Sequence, residues 1–351
     1  LICGTTRNEK KQQHMFRLKI HFMTRSIFRG RGSTLALVFL LLLSGCLRQD
    51  KQKQDDMASQ ELIIFHAGSL SVPFKEVADS FRQQHPNVDV KLEAAGSVDC
   101  ARKITELNRK CDIMASADYR VIDKLLIPGH TDWLIRFAAN EMVLVYHKGS
   151  RYSDQLGPDN WPDYLMRDGV YYGRSNPDSD PCGYRTVLTL RLAQEHYGKP
   201  GMASQLLAKD QRFIRPKETD LLALLESGAL DYAFLYRSVA EQHGLPYLTL
   251  PDSINLGNPD LEDHYATATV DIAGSSPSDT ITLKGEPMIY GVTMLRDAPN
   301  PKVARDFLHL LLDSDQGMQI MQDNGQPSLV PAATEHYQNI PREFKNYATG
   351  N

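Results

Sequence analysis

From Glu61 onward, apolar runs and amphipathic stretches alternate along the chain. "ELIIFH" reads as a buried strand. "VPFKEVADSFRQQHP" spaces its apolar residues as a helix does, with Pro73 in the first turn, where a missing N–H does no harm. "NVDVKLEA", "CDIMAS", "GVYYGRS", "DYAFLY" and "LPYLTLP" predict further strands; "VDCARKITELNRK", "ADYRVIDKLL", "RTVLTLRLAQEHYG" and "RSVAEQHG" predict helices between them. "KETDLLALLESG" is a helix with Leu221, Leu224 and Leu225 on one face, closed by Gly228. "PKVARDFLHLLLDSDQGMQIMQDNG" is helical, and "DIAGSSPSDTITLKGE" is a loop or hairpin. Strand–helix alternation predicts an α/β protein whose mostly parallel sheets are flanked by helices on both faces.

Two apolar strands, "EMVLVYHKG" and "PMIYGVTML", are candidates for crossing between lobes. They divide the chain into a first lobe of residues 61–140 and 296–351 and a second of residues 141–295, with crossing strands near 141–148 and 287–295. A ligand cleft then lies between the lobes, at the carboxyl ends of the strands.

The N-terminus follows a different logic. Arg25, Arg29 and Arg31 precede the short apolar run "LALVFLLLLSGC", and the polar "LRQDKQKQDD" follows it. This is the architecture of a secretory signal, and the run is too short to span a bilayer comfortably. "LSGC" resembles a bacterial lipobox, which makes Cys46 the lipidated first residue of the exported chain. The signal architecture begins only at Met23, so residues 1–46 are read as an over-extended start plus signal peptide, and residues 47–60 as a polar linker. Export leaves Cys100, Cys111 and Cys182, an odd number, so at most one disulfide forms. With 351 residues, a formal net charge of −4 and no basic stripe past the N-terminus, the chain gives no reason to expect a nucleic-acid partner.

Two stretches share a local design. "FHAGSLSV" and "LEAAGSVD" each place Ala-Gly-Ser between a strand and a helix. A helix N-terminus has free N–H groups and a partial positive charge, so it attracts anions. Gly68 and Gly96 allow close backbone approach, and Ser69 and Ser97 add hydroxyl donors. Together they form a cradle for a tetrahedral oxyanion without lysine or arginine. The plain alternative is that each serine is an N-cap, worth about 1 kcal/mol. "SNPDSDPCGYR" adds Asp178, Ser179 and Asp180 at a strand-to-helix turn, Glu218 opens a later helix, and Tyr236 ends a strand. Carboxylates repel an oxyanion unless they are protonated or bond its central atom. Fully oxidised sulfur and phosphorus do not readily accept that extra ligand; six-valent molybdenum or tungsten does. The plain alternatives are a turn residue for Asp180 and a first-turn acid for Glu218.

"HAGSLSVPF", "AGSVDCARKITEL", "DIMASADY", "SNPDSDPCGYR", "DLLALLESGALDYAFLYRSVAEQHG" and "NGQP" closely resemble the tungstate/molybdate-binding proteins of ABC transporters, in the branch best known from archaea. The resemblance runs from Glu61 to about Ala333 and implies the two-lobed periplasmic-binding-protein fold. It implies that Gly68, Ser69 and Ser97 bind the anion, that Asp180 and Glu218 bond its metal centre directly, raising it towards six-coordination, that Asp178 and Ser179 line the same loop, and that Tyr236 hydrogen-bonds the anion. The stretch between "AQEHYG" and "RPKETDLL" is shorter than in archaeal members, so the Glu218 loop can approach differently. A Cys100–Cys182 bridge would join the lobes and block closure, so free thiols are expected.

The resulting expectation is a monomeric, lipid-anchored receptor, outside the cytoplasm, that hands tungstate or molybdate to an ABC permease and needs no cofactor. Its rivals are a generic sulfate or phosphate receptor, an exported hydrolase using Asp180 and Glu218 as an acid/base pair or Cys182 with His66 as thiol and base, and a surface protein whose lobes only dock a partner. No HExxH, CxxC, GxSxG or Walker-type run is present in the exported part.

Overall fold

A computed structural model describes residues 60–209, 211–274 and 279–350. The signal segment, Cys46 and the linker up to residue 59 lie outside the described residues. Ser59–Asn351 forms one compact unit. Among the described residues no helix is long and apolar enough to cross a membrane.

The core is built on two five-stranded sheets. The first has the order β2-β1-β3-β12-β4, from β1 (Gln60–Ala67), β2 (Val88–Ala95), β3 (Ile113–Ser116), β4 (Ile135–Ala139) and β12 (Ile289–Met294). The second has the order β7-β6-β8-β5-β9, from β5 (Met142–Tyr146), β6 (Tyr172–Ser175), β7 (Ile214–Arg215), β8 (Tyr232–Tyr236) and β9 (Tyr247–Thr249). The helices that matter for the site are α1 (Ser71–Gln84), α2 (Ser97–Thr105), α3 (Tyr119–Leu125), α4 (Pro181–His196), α5 (Leu222–Glu226) and α6 (Arg237–Gln242); α7 (Pro301–Leu312) and α8 (Gly317–Asp323) follow β12. Between β9 and β12 lies an antiparallel hairpin, β10 (Thr269–Ala273) with β11 (Thr280–Lys284).

Buried apolar residues of both lobes make up the core. Phe74, Phe81, Phe137 and Phe307 meet edge to face or tilted in the first, and Trp161, Tyr172 and Phe234 do so in the second. The short two-residue β7 and three-residue β9 form the edges of the second sheet, which limits the unpaired backbone offered to another chain.

The two-lobed α/β architecture is the one the hydrophobic pattern predicts, with three differences. The sheets are mixed rather than mostly parallel. β1–β2, β1–β3, β6–β7 and β6–β8 are parallel, but β12 and β5 run antiparallel to both of their neighbours. Each is the strand through which the chain enters a sheet after leaving the other lobe, so its direction is not set by a strand–helix–strand crossover. Secondly, these strands do not themselves cross. β12 lies wholly in the first sheet, so the predicted second-lobe boundary at residue 295 runs too far. The crossings are Asn140–Glu141 and residues 285–288, which join the ends of neighbouring elements. Thirdly, the C-terminal helical stretch breaks between Leu312 and Gly317. The chain doubles back so tightly there that a Cβ on Gly317 would lie 2.2 Å from the Leu311 carbonyl oxygen.

Candidate functional site

The first lobe contributes two strand ends. After β1, Gly68–Leu70 form a single 3₁₀ turn before α1. A Cβ on Gly68 would lie 3.0 Å from each Glu218 carboxylate oxygen and 2.9 Å from Thr219 Oγ1, so glycine here admits the opposite lobe's acid. Ser69 is buried, and its Oγ accepts a hydrogen bond from Tyr290 (3.0 Å). Tyr290 in turn accepts from Asn140 Nδ2 (3.0 Å), which aims its own proton at Ser69 and leaves the serine hydrogen to donate elsewhere. Gln326 of "NGQP" donates to the Ser69 carbonyl (3.0 Å). After β2, Ser97 opens α2; its Oγ accepts from the Ala117 N–H (3.0 Å), so it too keeps a hydrogen to donate.

The second lobe contributes the acids. Asp180 is the residue before α4, with Pro181 at the first helical position. It does not cap its own helix. Its Oδ2 accepts from the Glu218 N–H (2.9 Å), fixing the turn that carries Glu218. Both acids are fully buried; with both ionised, Asp180 Oδ1 and both Glu218 oxygens have no hydrogen-bond partner, whereas a protonated Asp180 bonds Glu218. Burial pushes the Asp180 carboxyl well above its usual range, and the neighbouring Glu218 charge pushes it further; burial likewise raises Glu218. Unpaired buried carboxylates are strongly unfavourable, so this arrangement suits a ligand that completes them.

Tyr236 ends β8 fully buried, and its hydroxyl accepts from Arg185 Nη1 (3.1 Å), which directs the phenolic proton away from the arginine. Arg185 was not among the predicted residues, and the cradle was expected to lack any such cation. The guanidinium sits on α4, is 1% exposed, and also donates to the Ala117 carbonyl (2.7 Å) of the first lobe. Its signal in the sequence was an arginine inside "PCGYRTVLTLRL", a helix apolar nearly all round, where a charge must find a partner.

Asp178 and Ser179 serve the walls. Asp178 Oδ1 accepts from the Ala273 N–H (2.9 Å) on the hairpin, and its carbonyl accepts from Arg102 (2.9 Å). The Ser179 carbonyl takes the Val98 and Asp99 N–H groups (3.1 and 3.2 Å). The free helix N-terminus expected after Gly96 is therefore occupied by the opposite lobe. Gly96 is needed for that approach, since a Cβ there would lie 2.2 Å from the Ser179 oxygen.

The thiol–base pairing has no support in the geometry. His66 Nδ1 bonds the Ala67 carbonyl (2.8 Å), and burial lowers its pKa to about 4. The Cys182 thiol donates to the Phe234 carbonyl, and burial pushes it well up, away from thiolate. Cys100, Cys111 and Cys182 are all free. Among the described residues no group of three or more histidines, cysteines or acids is arranged to hold a metal cation.

The sequence profile of the bacterial extracellular solute-binding protein family matches residues 62–326. A solute-binding protein of Petrotoga mobilis is 45% identical over 291 residues, covering 83% of this chain and 90% of that one. The molybdate/tungstate-binding protein WtpA of Pyrococcus abyssi is 40% identical over 340 residues, covering 89% and 96%. Among solved structures, the periplasmic molybdate-binding protein of Azotobacter vinelandii superposes with a TM-score of 0.54 at 17% identity, covering 76% of this chain and 98% of that one; it shares the fold.

Proposed function

The chain belongs to the bacterial extracellular solute-binding protein family, and on that premise we propose that it is the receptor that captures tungstate or molybdate outside the cytoplasm for an ABC permease. The kinship with the Pyrococcus molybdate/tungstate-binding protein supports the ligand class. The observation that carries the reading is the pair of buried acids, Asp180 and Glu218, packed against the Gly68 and Gly96 turns with three carboxylate oxygens lacking partners when ionised. The ionised pair would repel a sulfate or phosphate with no bond to offset the charge, so such an anion would require both acids to take up protons first. A molybdenum or tungsten centre takes those oxygens as ligands while its own oxygens accept from Ser69, Ser97, Tyr236 and the Gly68–Ser69 backbone.

In this reading the lobes hinge at Asn140–Glu141 and residues 285–288 and close over the anion. Asp178 and Ser179 shape the closed cleft through the backbone and the hairpin. The protein acts as a monomer, tethered by lipid at Cys46, and does no chemistry beyond reversible coordination.

Calorimetric titration of the chain from Leu47 onward with tungstate, molybdate and sulfate tests this. The expected result is tight binding of both metal oxyanions, none of sulfate, and a large loss of affinity, with residual binding, in Asp180→Ala and Glu218→Ala. Sulfate binding comparable to tungstate, or acid variants that bind like wild type, would make the site a generic oxyanion cradle.

A further inference from the structure

Next to the cleft lies a second buried charge cluster, joined to the site only through Arg185 and its bond to Tyr236. Asp118 precedes α3 in the first lobe and is fully buried. Its carboxylate holds its own helix through the Arg120 N–H (2.9 Å) and pairs with the Arg120 guanidinium (2.8 Å). Arg120 also meets Glu286 (2.9 Å) on the second crossing segment and donates to the Lys284 carbonyl (2.7 Å) at the end of the hairpin. Two further groups reach Asp118 Oδ2 from the other lobe: the Tyr184 hydroxyl (2.7 Å) and Arg185 Nη2 (3.3 Å), both from α4. Burial alone would raise the Asp118 carboxyl; the Arg120 and Arg185 guanidiniums override it and hold the group ionised.

Arg185 connects this cluster to the site. One nitrogen, Nη1, binds both the Tyr236 hydroxyl of the second lobe and the Ala117 carbonyl of the first, while Nη2 faces Asp118. These contacts cross from the α4 lobe to the α3 lobe, so they exist only while the lobes are together. We propose that Tyr184, Arg185 and Asp118 form a charge latch across the cleft that sets how long the bound anion is retained, with Arg185 as the positioning residue that couples Tyr236 to closure. This rests on the receptor reading above. Because the latch is made after the lobes meet, it acts on release and leaves capture alone.

Tyr184→Phe is the cleanest probe: it keeps the ring and deletes one hydrogen bond to a charged, buried acceptor. Stopped-flow fluorescence of the chain from Leu47 onward, with bound tungstate chased by excess molybdate, should show release about tenfold or more faster in Tyr184→Phe. The association rate and the tungstate-to-molybdate affinity ratio should stay at wild-type values. Arg185→Lys should accelerate release further, since a point charge cannot serve Ala117, Tyr236 and Asp118 at once. Release rates unchanged in both variants, or rates of capture and release altered equally, would overturn the latch. Small-angle scattering in the presence of tungstate gives a second readout, with wild type more compact than Asp118→Asn if the latch holds. If wild type binds neither anion, the receptor reading fails and scattering alone judges the latch; equal dimensions would then refute it.

Discussion

Gly96→Ala separates closure of the cleft from folding of the lobes. Gly96 has φ −58° and ψ 141°, a conformation any residue adopts, so alanine introduces no backbone strain. The substitution even trims the freedom of the unfolded chain, a gain of about 0.4–1 kcal/mol where the native backbone is compatible. The new methyl, however, would sit 2.2 Å from the Ser179 oxygen, 2.8 Å from its carbonyl carbon and 3.0 Å from Asp180 Cβ. The nearest atoms are backbone and cannot swing aside. Relief requires the lobes to part by about 1 Å, judged against ordinary van der Waals contact. Parting breaks the Val98 and Asp99 N–H bonds to Ser179. At about 1 kcal/mol each, that is ~2 kcal/mol against the closed form, or roughly 30-fold in affinity. Calorimetry with tungstate should show this loss, while differential scanning calorimetry without ligand should give a melting temperature equal to or above wild type. Wild-type affinity in Gly96→Ala would refute the idea that this glycine exists for lobe-to-lobe approach. A lowered melting temperature without ligand would place its role in folding instead.

Two further outcomes follow from the buried groups. Asp180 and Glu218 have carboxyls raised above their usual range, so their contribution to stability is fully present below the ordinary carboxylate pKa and is lost as pH rises through the folded values. Melting curves without ligand should therefore show Asp180→Asn gaining on wild type as pH rises above the ordinary carboxylate range; a flat or falling difference contradicts the assignment. The thiols of Cys100, Cys111 and Cys182 are buried and free, so a thiol reagent should count all three after denaturation of the chain from Leu47 onward and none rapidly before it. A single reactive thiol after denaturation would mean a disulfide.

What the sequence discloses is local. Gly68, Ser69, Ser97, Asp180 and Glu218 stand at strand-to-helix turns, where residue type and backbone geometry are tied together, and the structure brings them to one place between the lobes. What it conceals is long-range. Tyr290 reads as one apolar position in a core strand, yet its hydroxyl orients Ser69 from 221 residues away. Gln326 stands in the "NGQP" motif, but its bond to the Ser69 carbonyl depends on how α8 returns to the first lobe. Asp178 and Ser179 are neighbours of Asp180 in sequence, and a loop sends adjacent side chains in different directions; their bonds go to the hairpin and to α2. The sheets illustrate the same limit. Alternating strands and helices imply parallel pairing, whereas the direction of β5 and β12 depends on how the chain returns from the other lobe.

The receptor proposed above requires Asp180 and Glu218 to bond the metal centre rather than merely surround an anion. X-ray absorption at the tungsten edge, on the chain loaded with one equivalent of tungstate, reads this directly. The expected spectrum shows a tungsten centre with two oxygen neighbours more than free tetrahedral tungstate, losing one in Asp180→Ala and one in Glu218→Ala. A bound anion with the four-oxygen shell of free tungstate, unchanged by either substitution, would contradict it.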